Sequence, residues 1–269
     1  MLLGLYYQSG GIIFMRVIYL LFSISCVLLS LPTRAETYVV ASQNIPYYPH
    51  YEFSSEVDKG FAWALLEAYS KHTGVSFEYV AMPVLRLQVE LEKGNVDLVY
   101  PDHPTWTNPV NDNKTKHYSA PLTDSLVGTF VKAPRYGQDI SRIRKLAIVL
   151  GFSPLYWQDR IDSGKTKLIS VADNKAALYL AQLDRADAVD MDYYVANYLL
   201  STLSDVDDFV LDPNLPVTTV EFCLSTLNNP ELVADISEFI AQHPDVVAKL
   251  KAQYRLDDPT ERLKTLRNQ

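Results

Sequence analysis

Two carboxylates one residue apart, Asp190 and Asp192, close the short apolar run Ala188-Val189-Asp190-Met191-Asp192. A pair at this spacing can ligate a metal, but no histidine stands near it, and a metal site is not expected. A carboxylate taken out of water needs a cationic partner. Asp192 can instead cap the helix that the apolar pattern over 194–203 predicts. In Gly151-Phe152-Ser153-Pro154, a serine precedes a proline at an expected helix start. Ser153 there would cap the first turn, and free amides at a helix start can also receive an anion. Arg86, in Met82-Pro83-Val84-Leu85-Arg86, is either a ligand contact or a solvated side chain on a helix face. Asp102 and His103 follow a predicted strand directly, where cleft residues of open α/β sheets lie.

Aromatic residues gather in loops and after strands: Tyr47, Tyr48, Tyr51, Tyr100, Trp106, Phe152, Tyr156 and Trp157. Such walls suit a ring or a cation through stacking and cation–π contact, and otherwise serve as core. Enzyme motifs are absent: there is no G-x-S-x-G, H-E-x-x-H, G-x-x-x-x-G-K or C-x-x-C. The five histidines are scattered. Cys223 falls inside a predicted strand, where a thiol is buried and inert. No catalytic residue and no cofactor are expected.

The elements that must position these residues follow from periodicity. Residues 37–41 read as a buried strand. Phe61, Ala64, Leu65, Ala68 and Tyr69 recur at helical spacing, with Gly74 as a stop. A strand over 76–80, a helix opened by Pro83 and closed by Gly94, and a strand over 96–100 complete a β-α-β-α-β run. That order predicts a mostly parallel sheet covered by helices. A polar stretch over 101–117 has no period, and long loops of this kind are often functional. After a strand over 126–131 the alternation restarts, with strands over 146–150, 168–171 and 188–191 and helices over 154–161, 175–183 and 194–203. A strand over 217–225 and two helical segments over 230–254 follow, and the charged residues 257–269 are expected to be loose.

The chain has 269 residues with 24 basic and 32 acidic side chains, a formal charge of −8. Residues 17–31 form an almost unbroken apolar run after Arg16 and before Pro32-Thr33-Arg34-Ala35. This describes a secretory signal peptide, residues 1–35, with Met15 as an alternative start. The run is shorter than the roughly 20 residues a spanning helix needs. Loss of Arg16 and Arg34 would leave 22 basic against 32 acidic groups, a surface that repels nucleic acid. Only Cys223 would remain, so no intrachain disulfide is expected.

Six segments in order carry a resemblance. They are Gly60-Phe61 leading to Gly74; Leu91-Glu92-Lys93-Gly94-Asn95-Val96-Asp97; Tyr118-Ser119-Ala120-Pro121; Leu146-Ala147-Ile148-Val149-Leu150-Gly151; Arg185-Ala186-Asp187-Ala188-Val189 with Asp192; and Asn229-Pro230-Glu231-Leu232. Together they resemble the family 3 extracellular solute-binding proteins, known as receptors of amino-acid ABC importers. The resemblance implies a two-lobed α/β fold of the periplasmic-binding-protein type (type II) with two crossover hinge strands, near 127–132 and 218–225. Lobe 1 would comprise 36–131 and 218–256, and lobe 2 would comprise 132–217. It implies a periplasmic monomer that binds a small polar, amine-bearing or amino-acid-like ligand, for an ABC permease or a membrane sensor kinase. A dehydratase-like enzyme and an orphan signalling protein are the rival readings.

By the same resemblance Asp192 would meet a ligand ammonium, and Tyr47 or Tyr48 would supply the first-loop aromatic. Tyr100, Asp102, Trp106, Phe152, Ser153 and Arg86 complete the expected site. The family's T-P-E-R segment, whose arginine forks onto an α-carboxylate, is here Thr105-Trp106-Thr107-Asn108-Pro109-Val110-Asn111-Asp112, with no arginine. Arg86 or a lysine would have to replace it, and an ordinary α-amino acid fits poorly.

Overall fold

The computed structural model describes residues 36–106, 115–206 and 208–268. The expected signal peptide, its cleavage point and most of the Thr105–Asp112 loop lie outside the described residues. Three parallel strands start the fold: β1 (Thr37–Gln43), β2 (Ser76–Met82) and β3 (Leu98–Asp102), with β1 in the middle. Between them run helices α1 (Phe61–Thr73) and α2 (Val84–Lys93). The face of α1 that the sequence marks is the buried one, with Phe61, Leu65 and Tyr69 inward. Its end is set by Gly74, whose left-handed φ of 82° lets its amide reach the Ser70 carbonyl. Leu87 and Leu91 of α2 pack with Ala41 and Val99 of the sheet.

After the short strand β4 (His117–Tyr118), β5 (Thr123–Lys132) leads into a second unit. Strands β6 (Lys145–Val149), β7 (Lys167–Val171) and β8 (Ala188–Asp192) form another parallel trio, with β6 in the middle. Helices α3 (Gln158–Asp162), α4 (Asn174–Gln182) and α5 (Tyr193–Thr202) accompany them, and the unpredicted strand β9 (Phe209–Leu211) pairs with β5. The long strand β10 (Val217–Thr226) joins the two trios. It pairs antiparallel with β5 from Val217 to Phe222, then with β3 from Cys223 onward, across a register shift. β5 in turn pairs antiparallel with β8. The path β2-β1-β3-β10-β5-β8-β6-β7 therefore holds two parallel α/β units bridged by two antiparallel strands. Helices α6 (Pro230–Gln242) and α7 (Pro244–Gln253) return to the first unit, where α7 meets α1.

Two expectations fail here. Residues 154–161 do not form one helix. Pro154 precedes a 3-10 turn, Leu155–Trp157, which the Trp157 amide closes onto the Pro154 carbonyl, and only then comes α3, five residues long. Burial of the Trp157 ring beside Val131, Ile143 and Leu146 holds the tight turn in place. The tail is not loose either: α8 (Pro259–Arg267) ends the chain. Asp258 caps it by accepting from the Thr260 and Glu261 amides at 2.8 and 2.9 Å, and Leu263 and Leu266 pack against the main core. Tyr194 donates its hydroxyl to the Asp257 carbonyl at 2.8 Å, and Arg262 lies over the Tyr193 ring. A capping residue and two apolar side chains at i, i+3 outweigh the charge density that suggested disorder.

Candidate functional site

The carboxyl ends of the parallel strands in both units point towards one cavity of about 440 Å³. From the first unit come Gln43 at the end of β1, Tyr47 and Tyr51 beyond it, Gln88 of α2, and Asp102 and Trp106 after β3. From the second come Ile148 and Phe152 around the end of β6, and Asp190 and Met191 of β8. The bridging strands supply the floor: Thr218, Val220 and Phe222 alternate along β10, and Val127 stands opposite Thr218 on β5. The period-two alternation of a strand explains why these three share a face.

The wall is aromatic. Tyr47 stacks on Tyr51 at 5.1 Å between centroids and meets Phe152 edge-on at 5.8 Å, so one contact spans the two units. Phe222 lies 6.2 Å from Tyr47 and 6.1 Å from Trp106. Tyr51 donates its hydroxyl to Gln43 Oε1 at 2.6 Å. The loop carrying both tyrosines is seated on Gly60, at φ 87° and ψ −178°, where a Cβ would stand 2.8 Å from Tyr51 Cα. Only glycine fits that backbone and that gap. Burial and the nearby carboxylate of Asp192 push the Tyr47 phenol well above its ordinary range.

The polar groups divide into two sets. Asp102 is almost wholly buried and its Oδ2 accepts from Lys116 Nζ at 2.8 Å, Ser225 Oγ at 2.6 Å and Gln88 Nε2 at 3.1 Å. Its Oδ1 accepts from the His103 amide at 2.8 Å. Lys116 also donates to Gln88 Oε1 at 2.9 Å, so this ion pair is closed on itself. Asp190 is different: among the described residues its carboxylate has neither a hydrogen bond nor an ion pair. Burial alone pushes its carboxyl up to about 7.

No protein-family model matches the chain, and no curated protein matches it significantly. Solved structures do. An arginine transport-system periplasmic binding protein from Legionella pneumophila superposes at a TM-score of 0.66 and 14% identity, over 82% of this chain and 100% of that one. The periplasmic VFT2 domain of Bordetella pertussis BvgS gives 0.64 at 20% identity, over 81% and 93%. An ancestral amino acid-binding protein, a precursor of cyclohexadienyl dehydratase, gives 0.59 at 21% identity, over 81% and 95%. The chain has the two-lobed periplasmic-binding-protein fold. Its trios are the two α/β units of that fold, and β5 and β10 are the two crossover strands.

Within the binding-protein fold, the expected site residues separate. Tyr47, Asp102, Trp106, Phe152 and Ser153 line the cavity. Ser153 caps nothing, because the helix after it is broken, and the expected anion site at a helix start is absent. Asp192 does not line the cavity. It is fully buried, accepts from Ser125 Oγ at 2.5 Å and from the Val195 amide at 2.8 Å, and stands 3.2 Å from His50 Nε2. Capping of α5 is the role it takes. Tyr48 turns away, with its ring 4.5 Å from Tyr198 and its hydroxyl donated to Asp58 at 3.2 Å. Tyr100 is sealed behind Tyr51 and Phe222, and burial holds its phenol well above the usual range. Arg86 is exposed on α2, with its Nε 3.2 Å from Glu90, and is not among the residues that line the cavity. Cys223 is buried, and its thiol is pushed up to about 12, as expected of an inert cysteine.

Sequence reasoning left Gln43, Gln88, Asp190 and Phe222 out of the site, and named Tyr51 only within the aromatic set. Asp190 carried a signal, since it shares a strand face with Asp192, yet the two carboxylates go to different neighbours. Phe222 could have been found from the alternation along the predicted crossover strand.

Proposed function

We propose that this chain is an exported periplasmic solute-binding receptor that closes two lobes on a small ligand at the cavity. Lobe 1 comprises residues 36–131 and 218–256, lobe 2 comprises 132–217, and the C-terminal segment with α8 lies against Tyr193 and Tyr194 of α5. The observation that carries the reading is the origin of the cavity walls: both α/β units contribute, across two crossover strands. A ligand there touches both lobes only when they are shut, so binding shifts the open–closed population. The apolar run over 17–31 supports export. The shut receptor would deliver its ligand to an ABC permease or report it to a membrane sensor kinase.

Purified protein beginning at Glu36 should show a saturable rise in melting temperature with some member of a panel of amines, amino acids and organic acids. Small-angle scattering should show contraction with the same compound. Flat melting curves across the panel would remove the support for ordinary solute uptake.

One observation favours a second reading, an enzyme on the same scaffold. A carboxyl near 7 inside an apolar cavity is in the state that general acid–base catalysis uses. One of the similar structures is an ancestral binding protein that precedes a dehydratase. Incubation of a bound compound with the protein, followed by NMR, separates the two: unchanged ligand supports the receptor, and a new product supports the enzyme.

A further inference from the structure

Resting on the receptor reading, we infer that the cavity selects a small organic monocation, an amine or quaternary ammonium on an apolar or ring-bearing body, that carries no carboxylate. Asp190 is the group that holds it. Three observations converge on this.

The charge of the described lining is the first. It contains two carboxylates, Asp102 and Asp190, and no lysine, arginine or histidine. Asp102 is neutralised at 2.8 Å by Lys116, which is itself almost wholly buried and held by Gln88 as well. Asp190 has neither a hydrogen bond nor an ion pair to its carboxylate among the described residues, so nothing described there compensates its charge when it ionises. A bound cation favours the ionised form of Asp190, and the described lining then carries one net negative charge for it.

The second observation concerns what a zwitterion would find. An α-amino acid brings a carboxylate as well as an ammonium, and a buried carboxylate without a cationic partner is costly. Arg86 points into solvent and pairs with Glu90. Using Lys116 would require breaking its pair with Asp102 and stranding that buried charge. No described cation is left to receive the carboxylate.

The third is the rest of the wall. Tyr47, Tyr51, Trp106, Phe152 and Phe222 present ring faces and edges around the same space. Asp190 and these rings line the same cavity, so carboxylate and aromatic wall face one occupant. Rings of this kind stabilise an ammonium through their faces and cover an apolar body. The volume, about 440 Å³, is at the small end of ligand sites and suits one ring-sized molecule.

Titration calorimetry on the purified protein tests this with phenethylamine, benzyltrimethylammonium, phenylalanine and 3-phenylpropionate. The two carboxylate-free cations should bind at least tenfold more tightly than phenylalanine, and 3-phenylpropionate should not bind. Asp190→Asn should weaken the cations at least thirtyfold while a cooperative melt shows an intact fold. Asp190→Glu should recover part of the binding, which a merely structural role would not produce. Phenylalanine or 3-phenylpropionate binding as well as the amines, or unchanged cation affinity in Asp190→Asn, would overturn the inference. If an anionic or neutral solute binds with contraction by scattering, the inference falls and the receptor reading stands. If nothing binds, both fall.

Discussion

Replacing Asp190 by asparagine should stabilise the ligand-free protein above neutral pH and leave it unchanged in acid. The folded state raises this carboxyl from its ordinary 3.8 to about 7. Folded protein therefore retains a proton that the unfolded chain has released across that interval. Stability owed to this group is complete below about pH 4, declines from there, and is fully lost above about pH 7. At 1.36 kcal/mol per pH unit, the interval corresponds to roughly 4 kcal/mol for complete desolvation. The carboxylate is half-buried and faces a cavity, so water screens part of that cost, and about 1–3 kcal/mol is expected. Asparagine mimics the protonated form at every pH. For a chain of this size each kcal/mol moves the melting temperature by about 2–4 °C, so Asp190→Asn should melt roughly 3–10 °C above the parent at pH 8. At pH 4 the two should coincide. Calorimetric melts from pH 4 to 9 read the difference directly. A variant less stable than the parent at pH 8, or a gap that does not change with pH, would refute the uncompensated-charge argument.

Three other perturbations probe the supports of the site. Lys116→Met should destabilise by about 3 kcal/mol, because Asp102 would keep a buried charge, and adding Asp102→Asn should restore most of the loss in urea unfolding. Gly60→Ala should cost about 3 kcal/mol or more by chemical denaturation, since both the backbone angle and the 2.8 Å approach to Tyr51 Cα exclude a side chain. Asp258→Ala should remove about 1 kcal/mol of capping from α8, seen as faster amide exchange over residues 259–267 with little change in the global melt.

Much of the fold was legible because its signals are local. The i, i+3, i+4 spacing from Phe61, the stops at Gly74 and Gly94 and the apolar runs of the strands act within one or two turns of chain. Their alternation leaves few topologies, and the parallel trios with two crossovers are among them. Where local signals conflict, the reading fails. Charge density hid α8 despite its Asp258 cap, and Ser153-Pro154 looked like a helix start until the buried Trp157 ring imposed a tighter turn.

The sequence by itself determined that two carboxylates would stand at the end of β8, that aromatic residues would gather after the strands, and that no arginine would follow Trp106 in the loop through Asp112. Only the tertiary structure decided which carboxylate is free. Asp192 accepts from Ser125, 67 residues away, and stands 3.2 Å from His50 of the first unit, while Asp190 meets no partner among the described residues. The reason is physical. A side chain's partners in a low-dielectric interior come from distant segments brought together by the sheet, and neither residue type nor spacing encodes that meeting.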